Sequence, residues 1–245
     1  MMRKEVEISA RMRALTGLVS PGLNMCDIGC DHGFVAIYLV QKGICPKVFA
    51  MDVRSGPLSR AREHIHQYGL EDKIETRLSD GLTKLKAGEA EGMICAGMGG
   101  PLMMKIMEEG RALISDMKEL ILQPQSEISE FRKYLRTHGY HIIKEDMVFE
   151  DGKYYPMMKA VPSEVLQSAS EDPLKWQIFD RFGQYLLEHK HPVLKKYLLH
   201  SKKTSEDLII KLKEQKSERA LARLPELETE LALICEALLY FESVD

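Results

Sequence analysis

A chain of 245 residues with 44% apolar and 29% charged residues has ordinary globular composition, enough for one large α/β domain or a medium domain with a smaller one. Five cysteines (Cys26, Cys30, Cys45, Cys95 and Cys235), an odd number without a Cys-x-x-Cys pair, argue for reduced thiols rather than a disulfide framework and lend no support to a zinc site, so no metal is expected. The net charge of −3 does not by itself suit a nucleic-acid binder, and the first twenty residues, with four basic side chains and no apolar run, predict neither a signal peptide nor a membrane span; the cytoplasm is the expected compartment.

Short apolar runs alternate with amphipathic ones from residue 23 to 161, which predicts βαβ units and a mostly parallel sheet. The first strand is expected at 23–28, followed by a glycine-bearing turn and a helix from Phe34. A second strand covers 48–51 and ends at Asp52, with its helix over 57–68. The third strand, 74–78, ends near Asp80-Gly81. The fourth, 93–96, leads through Gly97-Met98-Gly99-Gly100 into a Met-rich helix, and the fifth, 120–123, into a helix over 126–138. Two extended runs, 141–149 and 154–161, are joined by Glu150-Asp151-Gly152-Lys153, and an Asp-Gly pair between strands signals a hairpin. Five βα units closed by an antiparallel hairpin is the architecture of the class I methyltransferases, a Rossmann-like sheet.

A polar stretch, 162–173, then separates sequence without strand signals. Leu224, Leu227, Leu231, Ile234, Leu238 and Phe241 form a heptad seam, answered by Leu194, Leu198, Ser201, Ser205, Leu208 and Leu212. Antiparallel helices with a turn near Ser217 fit this pattern, with Pro225 either the first residue of the second helix or a kink. The expected organisation is an α/β methyltransferase domain with an N-terminal helix over 1–161, and a helical, coiled-coil-like domain over 162–245.

The first βα loop reads Asp27-Ile28-Gly29-Cys30-Asp31-His32-Gly33. It lacks the G-x-G-x-x-G spacing that seats a pyrophosphate on a helix N-terminus. Its acids repel phosphates but suit the cationic methionine end of S-adenosylmethionine. Asp52, with Val53 beside it, stands where an acid can accept both hydroxyls of a ribose, and Asp80-Gly81 where a carboxylate can accept from an adenine amine. Each acid alone is equally an ordinary strand-end or turn residue. Three at successive strand ends imply an adenosyl ligand, with Asp27, Gly29, Asp31, His32, Gly33, Asp52, Val53, Asp80, Gly81, Ala96 and Gly97 as its candidate contacts. The fourth strand end, Ala96-Gly97-Met98-Gly99-Gly100-Pro101, lacks the Asn/Asp-Pro-Pro-aromatic motif of many base-methylating enzymes; its glycines suggest backbone carbonyls offered to a planar substrate, or simple flexibility.

Together these motifs resemble the bacterial tRNA (adenine-N1)-methyltransferases that modify position 22 of the D-loop. The resemblance rests on Asp27-Ile28-Gly29-x-Asp31-His32, Gly56-Pro57, Asp80-Gly81-Leu82, Ala96-Gly97-Met98-Gly99-Gly100 and Leu120-Ile121-Leu122-Gln123-Pro124, and runs from about Ser9 to Val161. Ser9-Ala10-Arg11 matches the family's Ser-x-Arg near the cofactor cleft. Cys30 stands where the family usually has Ser, Gln125 where it has Asn, and Asp52 where it often has Glu. The resemblance implies methyl transfer from S-adenosylmethionine to N1 of an adenine in tRNA. Asp31, His32, Gly97 and Met98 are then the candidates nearest the chemistry; for His32 a packing role is the alternative.

Charge is unevenly distributed in the tail: nine Lys/Arg against four acids between Arg181 and Lys216, then seven acids against two arginines from Glu218 onward. One basic and one acidic arm can present a phosphate-binding face, although two arms attracting each other would look the same. The candidate RNA contacts are Lys195, Lys196, Lys202 and Lys203 on the arm, Arg11 and Arg13 (with Arg3 and Lys4) at the N-terminus, and Gly99, Gly100 and Gln123 at the strand ends. A monomer is mildly favoured. The competing readings are a small-molecule or protein methyltransferase on this fold and a non-catalytic adapter; a nicotinamide dehydrogenase lacks its glycine fingerprint.

Overall fold

The computed structural model describes residues 5–164, 172–215 and 218–242 of a chain that divides into two compact units, Met1–Ser168 and Ala169–Asp245. Arg3, Lys4, Lys216 and the turn expected near Ser217 lie outside the described residues.

The first unit opens with α1 (Ala10–Thr16), capped by the Ser9 hydroxyl, which accepts from the Met12 N–H. Then follow β1 (Met25–Ile28), α2 (Phe34–Gln41), β2 (Val48–Asp52), α3 (Ser55–Tyr68), β3 (Ile74–Leu78), β4 (Gly92–Met98), α4 (Gly100–Glu109), α5 (Arg111–Ile114), β5 (Glu119–Pro124), α6 (Ile128–Thr137), β6 (Tyr140–Glu150) and β7 (Lys153–Pro162). The strands form one seven-stranded sheet of order β3-β2-β1-β4-β5-β7-β6. β1 to β5 are parallel, and β7 enters antiparallel between β5 and β6. Every residue of β1, β2 and β5 is buried, as helices on both faces of a parallel sheet require, and this is why these strands read as unbroken apolar runs. One face packs around Ile37, Leu39, Leu58 and Ile65, the other around Met103, Met107, Phe131 and Leu135.

β1 lies between β2 and β4, so the chain's crossovers diverge there and leave a crevice at the carboxyl ends of the strands. β4 runs two residues beyond its expected end because a bulge between Ala96 and Met98 carries the strand through Gly97. At the far edge, Asp151 (φ 49°) and Gly152 (φ 75°) make the two-residue turn of the β6–β7 hairpin, in the doubly left-handed geometry that Asp-Gly favours.

The second unit holds α7 (Pro173–Phe182), α8 (Gln184–Glu188), α9 (Pro192–Gln215) and α10 (Glu218–Leu239). α9 and α10 are antiparallel: Lys213 meets Glu228 at 2.9 Å near one end, and Lys190 Nζ donates to the Glu242 carbonyl at 3.1 Å near the other. Leu194, Leu198, Ser205, Leu224, Leu227 and Ile234 are buried as the seam requires. Towards the helix ends the most buried positions are Ile209 and Ala237, each one residue from the expected Leu208 and Leu238. α10 starts at Glu218, so Pro225 is an interior proline rather than the first residue; its carbonyl accepts from Thr229 Oγ1 at 2.8 Å.

Candidate active site

The loops at the carboxyl ends of β1 to β4 and the residue following β5 border a cleft of about 530 Å³. Asp27, in β1, is 4% exposed, and its Oδ2 is buried with no hydrogen-bond partner among the described residues. Burial, reinforced by the nearby charge of Asp52, raises its pKa to about 7. A buried carboxyl with an unsatisfied oxygen calls for a donor or a cation. Asp52 closes β2, also buried, and accepts from the N–H groups of Arg54 at 2.8 Å and Asp31 at 3.3 Å. Those two bonds orient its carboxylate and leave further lone pairs for a diol. Asp31 has its backbone in the left-handed region (φ 47°) and carries an exposed side chain, with Arg60 at 4.0 Å and His32 at 3.5 Å. Beyond β3, Ser79 Oγ donates to the Gly81 carbonyl at 2.8 Å and accepts from the Lys84 N–H, which shapes the Asp80-Gly81 turn over Ile106.

Across the cleft, Gly97 occupies the β4 bulge with φ 79°, a backbone that side-chain-bearing residues rarely adopt. Met98 then folds back over the first loop: a methyl group at Gly29 would lie 2.3 Å from Met98 Cε. Val53 (60% exposed) and Leu102 (49% exposed) give the cleft open apolar surface. From the N-terminal side α1 contributes Arg11, Met12 and Leu15. The Arg11 guanidinium lies over the Tyr155 ring at 5.0 Å, and the Arg11 backbone N–H donates to Glu150 Oε1 at 3.2 Å. Against desolvation, which would raise it, hydrogen bonds from Arg11, Ser9 and Ala10 hold the Glu150 carboxyl below its usual range.

The cleft brings together Arg11, Asp27, Gly29, Asp31, Asp52, Val53, Asp80, Gly81, Ala96, Gly97 and Met98. His32, Gly33, Gly99, Gly100, Gln123 and Arg13 do not line it. The His32 ring stacks on Phe34 at 5.8 Å, with His64 5.7 Å away. Gly33 lets α2 approach α3, since an added methyl would sit 3.2 Å from Ala61 Cβ. Gly99 and Gly100 face the loop after β5, where added methyl groups would meet Ser126 Oγ at 2.9 Å and the Ser126 carbonyl at 2.8 Å. Gln123 is 1% exposed and donates from Nε2 to the Pro124 carbonyl, so its side chain, read from sequence as an RNA contact, lies in the interior. In the second unit Lys195, Lys196 and Lys203 are exposed and have no ion pair among the described residues, while Lys202 is half-buried, 3.9 Å from Glu206.

Sequence reasoning missed Met12, Leu15, Ser79, Leu102 and Ile106 as cleft residues. Leu102 and Ile106 carried a usable signal, being four apart at the start of a helix that leaves a strand end. Cys30 also lines the cleft, but burial, then Asp27, Asp52 and Asp31, push its thiol well above the ordinary range, which leaves it protonated and inert. Among the described residues no group of three His, Cys, Asp or Glu could hold a metal ion, and no helix is long and apolar enough to cross a membrane.

A Rossmann-like sheet ending in an antiparallel hairpin, with acids at successive strand ends around one cleft, defines a class I S-adenosylmethionine-dependent methyltransferase. A methyltransferase-domain family model matches residues 8–158. The Bacillus subtilis tRNA (adenine(22)-N(1))-methyltransferase is 31% identical over 194 residues, covering 79% of this chain and 81% of that protein. The crystal structure of the B. subtilis m1A22 tRNA methyltransferase TrmK superposes with a TM-score of 0.80 at 28% identity, over 96% of this chain and 100% of that one. A Streptococcus pneumoniae protein provisionally named a tRNA (m1A22) methyltransferase, solved with S-adenosyl-L-methionine, has a TM-score of 0.80 at 30% identity, over 95% of this chain and 100% of that one. The chain belongs to the tRNA (adenine(22)-N(1))-methyltransferase family. Its cofactor is S-adenosylmethionine, and the unsatisfied buried carboxyl of Asp27 fits a cationic ligand.

Proposed function

We propose that this protein methylates N1 of adenine 22 in the D-loop of tRNA. The observation that carries the reading is the 31% identity to an enzyme named for that reaction, across four-fifths of both chains. The acid-lined cleft supports it. When bound, S-adenosylmethionine supplies a methyl group made electrophilic by its sulfonium. Asp27 and Asp31 are the acids for its cationic methionine end, Asp52 for the ribose hydroxyls, and Asp80 for the adenine amine, with Val53 and Leu102 as apolar walls. N1 attacks through an in-plane lone pair, so the protein's task is in-line placement more than strong base catalysis. Ala96, Gly97 and Met98, where β4 bulges into the cleft, flank the place where the acceptor must lie, and Gln125 offers it an amide. Asp31, exposed at the cleft rim, is the candidate to take a proton from the adenine amine; His32, 3.5 Å from it, acts at most through Asp31.

The tail's basic arm holds RNA phosphates in this reading, through Lys195, Lys196, Lys202 and Lys203, with Arg11 and Arg13 of α1 as further cations. In this reading the protein works as a monomer, and a tRNA substrate carries the cytoplasm with it. The test is transfer of labelled methyl to unmodified tRNA transcripts that differ only in adenine or guanine at position 22. Label on the adenine transcript alone, mapping to N1, is expected. No transfer to either, with cofactor binding intact, would move the acceptor elsewhere.

A further inference from the structure

The β6–β7 hairpin carries an aromatic pair that the cofactor cleft does not use. Phe149 and Tyr154 are directly opposed in the ladder, their ring centroids 4.6 Å apart at 45°. Phe149 is 54% exposed. A cross-strand aromatic pair stabilises a hairpin, yet that role alone is served as well by rings covered by neighbours. The position is informative. β5 pairs with β7 up to Leu122↔Met158 and ends at Pro124, so the hairpin tip runs on beyond it by about three residues, roughly 10 Å. It therefore overhangs the carboxyl edge of the sheet, where the cleft opens. The same tip is tied to that cleft: Glu150 holds the start of α1, and Tyr155, on the opposite face of the hairpin from Tyr154, lies under Arg11, which lines the cleft.

We propose that the Phe149–Tyr154 pair is a stacking platform for a nucleobase of the RNA substrate next to the methylated adenine. This rests on the tRNA reading above. N1 lies on the pairing edge of adenine, so the base must leave its stack to be methylated, and its neighbour then loses a stacking partner. An exposed aromatic ring on the hairpin tip, beyond the carboxyl end of β5, replaces that partner whatever the base, because every base has a π-face. Arg11, on the hairpin's other face, supplies the adjacent positive charge.

The experiment measures methylation of a tRNA transcript by wild type, Phe149→Leu and Phe149→Trp, with cofactor affinity and thermal stability determined in parallel. Phe149→Leu keeps an apolar side chain but removes the ring. It is expected to lower kcat/KM for tRNA by at least about fivefold. Cofactor affinity and the salt dependence of tRNA binding should stay at their wild-type values, since stacking neutralises no phosphate, and the melting temperature should fall by no more than the few degrees that loss of one cross-strand pair costs. Phe149→Trp should restore activity. A 2-aminopurine beside the target adenine should be quenched by wild type and less so by Phe149→Leu. Wild-type kinetics in Phe149→Leu, or a Trp variant as poor as the Leu variant, would overturn the platform while leaving the tRNA reading intact. Absence of tRNA methylation by the wild type would remove both.

Discussion

The loops that follow β1 and β4 both carry glycines and both border the cleft, but they contribute different kinds of chemistry. After β1 the cleft is offered side chains: Asp27 is buried with one oxygen unsatisfied, and Asp31 stands exposed at the rim. After β4 it is offered backbone. Gly97 is a bulge residue at φ 79°, and Gly99 and Gly100 are pressed against Ser126 of the next loop. A glycine in a sequence therefore does not announce a ligand. In the first loop Gly29 makes room for Met98, and in the second the glycines make room for protein.

The sharpest way to break this contrast is Asp27→Asn. Removing one partner from a buried charge pair costs about 3–5 kcal/mol, so S-adenosylmethionine affinity should fall at least about a hundredfold by calorimetry. Retained affinity would show that the loop's side chains are not its working groups. A pH profile sharpens the same point. Asp27's pKa of about 7 lies above its unfolded value, so its ionisation opposes folding, and the free protein should lose stability as pH rises from about 4 through about 7. A cationic ligand needs the ionised form. Cofactor binding should thus weaken by about tenfold per pH unit below about 7, and the Asn variant should lack that slope.

For the second loop the matching change is Gly100→Ala. The new methyl would lie 2.8 Å from the Ser126 carbonyl and 3.3 Å from that of Glu127, both backbone atoms. Overpacking of this kind costs about 1–3 kcal/mol, which lowers the melting temperature by roughly 2–4 °C per kcal/mol. Cofactor affinity should stay within about twofold. A large loss of cofactor affinity with no loss of stability would mean that Gly100 serves the ligand after all.

A smaller effect separates both loops from the second unit. Lys196 and Lys203 share the outward face of α9, opposite buried Leu194, Leu198 and Ser205. Replacing both by Ala should weaken tRNA binding and reduce the slope of log affinity against log salt by about 1.4–1.8, at 0.7–0.9 per phosphate contact. Neither cofactor affinity nor the pH profile should move. An unchanged salt slope would reduce α9's charge to an ordinary solvated helix face.

These contrasts also mark what the sequence could and could not reveal. Strand positions were legible because buried parallel strands leave continuous apolar runs, and Asp151-Gly152 encodes its own turn. The acids at the strand ends were legible because the fold puts ligands there. The partners of Gly99 and Gly100 were not, since Ser126 lies 26 and more residues away and only packing brings it near. Met12 and Leu15 reach the cleft through the docking of α1, which no local pattern specifies. Gln123 entered as an RNA contact through the Leu-Gln-Pro string, and its burial was not legible because the string does not tell that β5 is covered along its whole length. Pro225 left two readings open, helix start or interior kink, because proline costs a helix interior about 3 kcal/mol; α10 starts at Glu218 and runs through it.

The smallest expected effect belongs to His32, and it bears most closely on the first loop. A catalytic base must reach the proton it removes, directly or through one water. The His32 ring is absent from the cleft lining; it lies against Phe34 and beside His64, whose Nδ1 is 3.0 Å from the His32 carbonyl. Its link to the cleft is Nε2, 3.5 Å from Asp31 Oδ2, long for a hydrogen bond between two exposed groups. His32→Ala should therefore leave turnover at saturating cofactor within about threefold of wild type, the order of effect left by a weak exposed pair. The pH–rate profile should keep its shape. A loss of a hundredfold or more, together with disappearance of a titration near neutral pH, would make the imidazole the base. It would also mean that the loop turns on substrate binding to bring His32 into the cleft, so that the β1 loop acts through three side chains rather than two.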